Sequence, residues 1–172
     1  GSEMCIRDRV DIPHNWDDYY GYRQLTHGNL HGTAMYEKTF TLDNSQFPIS
    51  DSSFGKRYFL RFEGVGTYAT VTLNGKDFGR HPVGRTTLTL DVTEALKPGE
   101  NRLVVKAEHP EMIADMPWVC GGCSSEWGFS EGSQPLGIFR PVVLEATDEI
   151  RIEPFGVHIW NDDKAGTVFV ET

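Results

Sequence analysis

The sequence predicts an all-β protein in which antiparallel strands pack as a sandwich. Three observations carry this prediction. Short segments alternate apolar and polar residues, turn signals separate these segments at regular intervals, and helical periodicity lasts nowhere for more than about one turn. Many short strands without intervening helices are typical of antiparallel sandwiches, and a jelly roll is the form that we expect.

The clearest strand signal lies at 67–79, which reads TYATVTLNGKDFG. Alternate residues from Ala69 to Leu73 point to one face, and the residues between them point to the other. The segment runs into Asn74-Gly75, the strongest short hairpin signal, because both residues tolerate a positive φ. A tight hairpin is therefore expected here.

Similar patterns predict further strands at 35–42, 56–64, 85–93, 101–109 and 138–146. Residues 92–97 predict a short helical turn with Thr93 as its N-cap. Pro141 has no N–H to donate to a neighbouring strand, so we expect the strand around it to begin at a sheet edge or through a bulge.

The pattern restarts after residue 148 with two more predicted strands, at 150–160 and 167–172. Two strands alone make a marginal folding unit. Residues 10–148 are therefore expected to form one domain, and residues 149–172 the first hairpin of a second sandwich whose remainder is absent.

Residues 1–9, GSEMCIRDR, contain no apolar run of the kind found in targeting signals. They resemble translated adaptor sequence, so we expect a non-native leader; an ordinary frayed terminus is the alternative. Because the true N-terminus is then expected to be lost, the cellular compartment stays open.

Composition excludes several classes of protein. The chain has 38% hydrophobic and 24% charged residues, which is the balance of a folded globular protein. No apolar run approaches the roughly 20 residues that span a bilayer. The formal net charge of −9 argues against nucleic acid as a partner, because phosphate contact requires a basic surface.

Cysteine usage leaves several alternatives open. Cys5 lies in the leader, and Cys120 and Cys123 form a C-G-G-C motif. A zinc site needs about four ligands and the sequence has no second pair, while a redox motif normally opens a helix. Two loop thiols or a disulfide are the preferred reading, and we expect neither a metal nor another cofactor.

Five stretches carry a family resemblance, in the same order along the chain: VDIPHNWDD (10–18), MYEKTFTL (35–42), the long segment 60–96, GENRLVVKAEH (99–109) and GIFRPVVL (137–144). Together they resemble the N-terminal sugar-binding domain of glycoside hydrolase family 2, which includes β-galactosidases, β-glucuronidases and β-mannosidases. The resemblance implies a galactose-binding-like jelly roll, followed by the start of an immunoglobulin-like sandwich.

The resemblance also implies what this chain does not carry. In the family, two catalytic glutamates lie in a (β/α)₈ barrel, which is absent from this sequence. We therefore expect no catalytic residue here and no hydrolysis by this fragment alone. The expected parent is a β-galactosidase-like enzyme acting on terminal β-linked sugars, with β-glucuronidase and β-mannosidase open. A free-standing carbohydrate-binding module is the main alternative, and a sandwich without sugar contact is another.

The expected substrate contacts are Glu131, Arg140, Trp127 and Asn15. Glu131 lies six residues before Gly137, where some β-galactosidases carry an aspartate that binds galactosyl hydroxyls; the neighbouring residues here depart from that pattern. A carboxylate can accept two hydroxyl hydrogen bonds.

Each of these residues has a structural alternative. Arg140 is expected to contact the substrate or the barrel, or else to satisfy loop carbonyls or pair with an acid at the sandwich edge. Trp127, with Trp118 and Phe129, is expected to stack on sugar or to hold its loop in place by burial. The resemblance implies an asparagine that faces the active site near this motif, which makes Asn15 a candidate, whereas Trp16 is expected to pack in the core or at its edge.

Overall fold

The computed structural model describes residues 8–16, 32–43, 56–110 and 136–172, together with the backbone of 112–113 and 123–124. All regular secondary structure in these residues is β-strand, which confirms the predicted all-β class. The described ranges contain no helix that is long and apolar enough to span a membrane.

Four antiparallel strands form the larger sheet. They are β1 (Gly32–Leu42), β3 (Val65–Leu73), β4 (Lys76–Gly84) and β6 (Gly99–His109). The spatial order is β1-β6-β3-β4, so β6 joins the first strand to the central hairpin. This crossover order, with neighbours distant in sequence, is the arrangement expected of a jelly roll.

Three strands form the second sheet: β2 (Arg57–Phe62), β5 (Leu88–Asp91) and β9 (Val142–Thr147). The order is β5-β2-β9, with both pairs antiparallel. The last of these strands begins directly after Pro141 and lies at the sheet edge among the described strands, which confirms the expectation drawn from the missing proline N–H.

Two smaller hairpins complete the described strands. β7 (Met112–Ile113) pairs with β8 (Cys123–Ser124), and β10 (His158–Asp162) pairs with β11 (Thr167–Glu171). The first pair was not predicted, because two residues are too few to show alternation.

The core lies between the two large sheets. Apolar side chains from both inner faces are buried there, and the most completely buried are Phe62, Val65, Ala69, Val71, Leu73, Val83, Val92, Val105 and Ala107. Each large apolar side chain contributes about 1.5–3 kcal/mol when fully removed from water. This shared core makes the two sheets one folding unit.

The Asn74-Gly75 turn is confirmed, with φ values of 52° and 87°. The Asn74 carboxamide also organises the neighbouring turn, because it donates to the Ala95 carbonyl at 2.8 Å and to Asn101 Oδ1 at 2.7 Å. Asn101 is fully buried, and it accepts from the Lys97 N–H and donates to the Lys97 carbonyl. Two asparagines therefore link the ends of three strands.

The helical turn predicted at 92–97 is a single turn, in which the Ala95 and Leu96 N–H groups donate to the Val92 carbonyl. The N-cap assignment of Thr93 is wrong, because its hydroxyl binds no N–H group of this turn. The hydroxyl accepts a hydrogen bond from the Tyr58 N–H at 2.9 Å, which joins this turn to the second sheet.

The outer face of the second sheet holds an aromatic ring beneath two arginines. Phe59 lies outside the core cluster but is only 4% exposed. The Arg151 guanidinium lies 3.2 Å from its ring centroid, and that of Arg57 lies at 5.1 Å. Arg151 also lies 3.7 Å from Glu145. The chain beyond the last strand of the sandwich is thereby held against this sheet.

The C-terminal hairpin is exposed on both faces. One face carries the stacked rings of Trp160 and Phe169, whose centroids are 5.4 Å apart. The other face is aliphatic and carries Ile159, Val168 and Val170. Strands with two apolar faces are typical of a sheet that is covered on both sides.

We predict that Asn101→Ala lowers the free energy of unfolding by about 1–3 kcal/mol, because the Lys97 backbone and Asn74 would lose buried hydrogen-bond partners. The neighbouring Glu100→Ala, at an exposed position, is the matched control and should change stability by less than about 0.5 kcal/mol. Urea unfolding measures both changes. Equal stabilities for the two variants would contradict this account of the turn.

Candidate functional site

Two motifs that are far apart in sequence meet at one end of the sandwich. Residues 136–141, which we name the anchor segment, lie against residues 14–15 on one side and residues 63–66 on the other. The anchor segment contains Arg140, one of the predicted substrate contacts. It has no strand of its own before Val142, so its backbone groups need other partners.

On the first side, the partners come from residues 13–16, which read PHNW. The His14 N–H donates to the Ile138 carbonyl at 2.7 Å. The Leu136 N–H donates to Asn15 Oδ1 at 3.1 Å. Asn15 was predicted to contact sugar, and the structure places its side chain on the anchor backbone. Contact with a substrate stays a prediction for this residue.

On the second side, the partners come from the turn between β2 and β3. The Gly66 N–H donates to the Gly137 carbonyl at 2.7 Å, and the Glu63 N–H donates to the Pro141 carbonyl at 3.1 Å. The anchor segment is thus hydrogen-bonded on both sides. Four of its backbone groups have partners: the Leu136 N–H and the carbonyls of Gly137, Ile138 and Pro141.

Two glycines permit this close packing. A Cβ on Gly64 would lie 2.7 Å from Cζ of Phe139, so the aromatic ring rests directly on the glycine backbone. Gly137 has φ of 80°, and a Cβ there would collide with the Tyr36 hydroxyl. Neither position accommodates a side chain without displacing the aromatic ring beside it.

Tyr36 and His14 form a polar pair beside the anchor segment. The Tyr36 hydroxyl lies 2.8 Å from His14 Nδ1, and the two rings meet edge to face with centroids 5.8 Å apart. Burial raises the pKa of the Tyr36 phenol, and a hydrogen bond with the Ile138 backbone partly opposes this. The phenol is therefore protonated at neutral pH and can donate its proton.

A buried polar contact lies on the same end of the larger sheet. Thr67 has φ of 47°, a rare conformation for a β-branched residue, and falls where the β3–β4 register shifts. Its hydroxyl lies 2.8 Å from Nδ1 of His109, whose side chain is fully buried. Irregular backbone of this kind is enriched near functional sites.

Arg140 projects from the anchor segment into solvent. Its Cδ lies 3.1 Å from the position of a Cβ on Gly64, so the aliphatic stem packs on the glycine. Its guanidinium forms no ion pair among the described residues. The alternative role as a partner of an acid at the sandwich edge therefore has no support in that part of the chain.

The remaining predicted contacts, Glu131 and Trp127, lie outside the described residues, as do Trp118, Phe129 and Cys120. Cys123 is described only by its backbone in β8. The sugar-binding and thiol roles assigned to these residues stay predictions. In the described part of the chain, no group of three or more His, Cys, Asp or Glu side chains could hold a metal ion.

Sequence reasoning missed the roles of Tyr36, His14 and Gly64. Gly64 follows a predicted strand directly, and a glycine at such a position signals close backbone approach. Tyr36 and His14 lie in motifs that carry the family resemblance, but nothing local indicates that the two residues touch.

A cavity of about 730 Å³ opens at the edge of the sandwich, between the residues that precede His14 and the inner faces of both sheets. Its inner wall is made of core side chains, namely Phe40, Leu60, Phe62, Leu103, Val105, Ile138, Val142 and Leu144. The rest of its lining includes polar and charged residues, among them Asp11, Tyr36, Glu37 and Lys38. We place the candidate site at the anchor segment, because that segment carries Arg140, a predicted substrate contact.

We predict that Gly64→Ala destabilises the chain by about 1–3 kcal/mol, because its methyl group would overlap the Phe139 ring. Phe139→Leu removes the overlapping ring atoms, so the double variant should recover part of the loss. Urea unfolding of both single variants and the double variant gives the coupling free energy, which we expect at about 0.5–3 kcal/mol. Strict additivity would show that the ring does not rest on this glycine.

Comparison with known proteins identifies the family. The model of the glycosyl hydrolase 2 galactose-binding domain-like family matches residues 16–116. A β-glucuronidase of Bacteroides fragilis is 33% identical over 147 residues, which cover 85% of this chain and 19% of the relative. A β-galactosidase of Bacteroides ovatus is 27% identical, with 87% of this chain and 16% of the relative covered. The chain thus spans less than a fifth of either relative.

Solved structures agree with this assignment. A Bacteroides fragilis crystal structure, of a protein assigned as a β-galactosidase, is 32% identical with a TM-score of 0.68, covering 90% of this chain and 21% of that protein. A β-glucuronidase from an uncultured Clostridium is 28% identical with a TM-score of 0.59, and the match covers 89% of this chain and 25% of that protein. The chain belongs to the glycosyl hydrolase 2 galactose-binding domain-like family.

Proposed function

We propose that this chain is the N-terminal domain of a β-glycosidase that hydrolyses terminal β-linked sugars, and that it supplies one wall of the substrate pocket. The observation that carries the proposal is the exposed Arg140 on a backbone that is hydrogen-bonded from two sides, in a chain of this family. A positioning group gains most when its backbone is already fixed, because little conformational freedom is lost on binding.

The proposed pocket wall consists of Arg140 and Asn15 together with Glu131 and Trp127 from the preceding segment. The arginine offers a planar set of donors to a hydroxyl, a carboxylate or a facing domain. The glutamate offers acceptors to sugar hydroxyls, and the indole offers a face for stacking. None of these groups performs the bond cleavage, which we assign to two glutamates of a catalytic barrel elsewhere in the enzyme.

Residues 149–172 fit the same proposal as the first hairpin of an immunoglobulin-like domain. Both faces of this hairpin carry exposed apolar side chains, among them Phe169 and Val170. Exposed apolar surface of this density indicates a covering partner. The proposed partners of the sandwich are therefore the remainder of that domain and the barrel, with a terminal sugar or oligosaccharide between them.

The relatives leave two sugars to test, because one is named a β-glucuronidase and another a β-galactosidase. The sequence resemblance favours a galactoside, and the identity to the named relatives does not decide between the two sugars. The experiment therefore offers aryl β-galactoside, aryl β-glucuronide and, because β-mannosidase also stays open, aryl β-mannoside to the full-length enzyme that carries this chain. Hydrolysis of any of these glycosides supports the proposal, and hydrolysis of none contradicts it.

We predict that Arg140→Ala in that enzyme lowers kcat/KM by about tenfold or more, equivalent to about 1.4 kcal/mol of transition-state stabilisation. Arg102→Ala is the matched control, since Arg102 is an exposed arginine at the opposite end of the sandwich, paired with Glu37. The control should keep kcat/KM within about twofold. Equal activity of Arg140→Ala and wild type would remove the substrate-facing role.

Glu131→Ala separates the proposed pocket wall from a sandwich that never touches sugar. A comparable loss of kcat/KM supports the wall, and unchanged kinetics favour the purely structural reading. Calorimetry of this chain with galactose and glucuronic acid tests the remaining alternative. Binding tighter than about 1 mM would favour a free-standing carbohydrate-binding module over a single wall.

A further inference from the structure

We infer that His14 and Tyr36 are a positioning pair that fixes the direction of Arg140 through the anchor segment. This inference rests on the proposed function, because it assigns the pair a role in the same substrate-facing site. Neither side chain needs to touch a substrate for this role.

The pair acts on the residues just before the arginine. The His14 N–H binds the Ile138 carbonyl at 2.7 Å, and the Tyr36 oxygen contacts the Ile138 backbone and lies against Gly137. Both partners thus contact the backbone two or three positions before Arg140. A shift of the phenol oxygen would displace these peptide groups first.

The Tyr36 hydroxyl needs the hydrogen bond with His14. A phenylalanine at position 36 would fill nearly the same space, so the hydroxyl is not needed for packing alone. A half-buried hydroxyl is destabilising unless it is hydrogen-bonded. The 2.8 Å contact with His14 Nδ1 supplies that partner.

The proton of the contact is assigned from the chemistry of the two groups. The phenol is protonated at neutral pH, and its oxygen lies 2.8 Å from Nδ1 of His14. We assign the phenol O–H as the donor and Nδ1 as the acceptor. A neutral His14 imidazole with this partner carries its proton on Nε2.

The pair contacts buried backbone, whereas the arginine contacts solvent. His14 and Tyr36 lie beside Gly137 and Ile138, both of which are buried, whereas Arg140 is exposed. The pair therefore contacts the buried part of the anchor segment, and the arginine leaves its exposed end. An effect of the pair on turnover would have to pass through the backbone between them.

The first test replaces His14 by each of the two carboxamide side chains, asparagine and glutamine, in the full-length enzyme. An asparagine carboxamide places a polar atom near the position of Nδ1, whereas a glutamine places it near Nε2. His14→Asn should keep kcat/KM within about threefold of wild type, and His14→Gln should lower it at least tenfold. Equal losses in both variants would overturn the inference, because the Nδ1 contact would then not matter.

The second test asks whether the pair acts through the arginine. Tyr36→Phe should lower kcat/KM at least tenfold in the wild-type background, mainly through KM if Arg140 binds the substrate. In the Arg140→Ala background the same change should have less than about a twofold further effect. If the losses of kcat/KM in the two single variants multiply in the double variant, the inference is overturned, because the two residues then have independent roles. Melting temperatures of all variants separate a fold defect from a positioning defect.

A spectroscopic readout keeps the inference distinct from the proposed function. In ¹⁵N spectra of wild type at pH 8, His14 should show an unprotonated Nδ1 and a protonated Nε2, and Tyr36→Phe should shift the Nδ1 signal. If the enzyme cleaves none of the tested glycosides, the proposed function fails while this signature still tests the pair. A protonated Nδ1, or a signal that Tyr36→Phe leaves unchanged, would overturn the pairing itself.

Discussion

The hydrogen bonds to the backbone of the anchor segment are the interaction on which the candidate site depends. The chain is irregular between Leu136 and Pro141, yet its first three residues are buried. Buried backbone groups without partners are strongly destabilising, and here the partners come from two distant parts of the sequence. The same bonds hold the N-terminal motif, the β2–β3 turn and the start of β9 in one place.

Side chains pack closely against the backbone of the anchor segment and of Gly64, and this close packing restricts the movement of the segment. Phe139 rests on Gly64, and the Tyr36 hydroxyl rests on Gly137, so the segment cannot move without displacing an aromatic ring. A side chain that leaves such a backbone has its first atoms fixed. Arg140 is therefore preorganised by packing at its base, while its guanidinium remains in solvent and available to a partner.

Local signals in the sequence were sufficient for most of the strands. The Asn74-Gly75 turn, the alternation in β3 and β6, and the edge position of β9 all follow from residue types within a few positions of one another. The same reasoning failed where a structure depends on distant partners. Phe59 is buried because Arg151 lies on its ring, and no local pattern records that contact.

The candidate site was predictable only in part, for the same reason. Arg140 and Asn15 were identified through the family resemblance, but the 121-residue separation between Asn15 and Leu136 hides their hydrogen bond from any local pattern. The contact between His14 and Tyr36 is hidden in the same way. Sequence motifs indicate which residues matter here, and only the fold shows which residues act together.

The central claim is that the anchor segment is held from both sides, and amide hydrogen exchange measured by NMR tests it directly. The amides of His14, Glu63 and Gly66 donate to the anchor carbonyls. We predict that they exchange at least about 100-fold more slowly than unprotected amides, as amides within a folded sheet do. Exchange of these three amides at the rate of exposed turns would contradict the account.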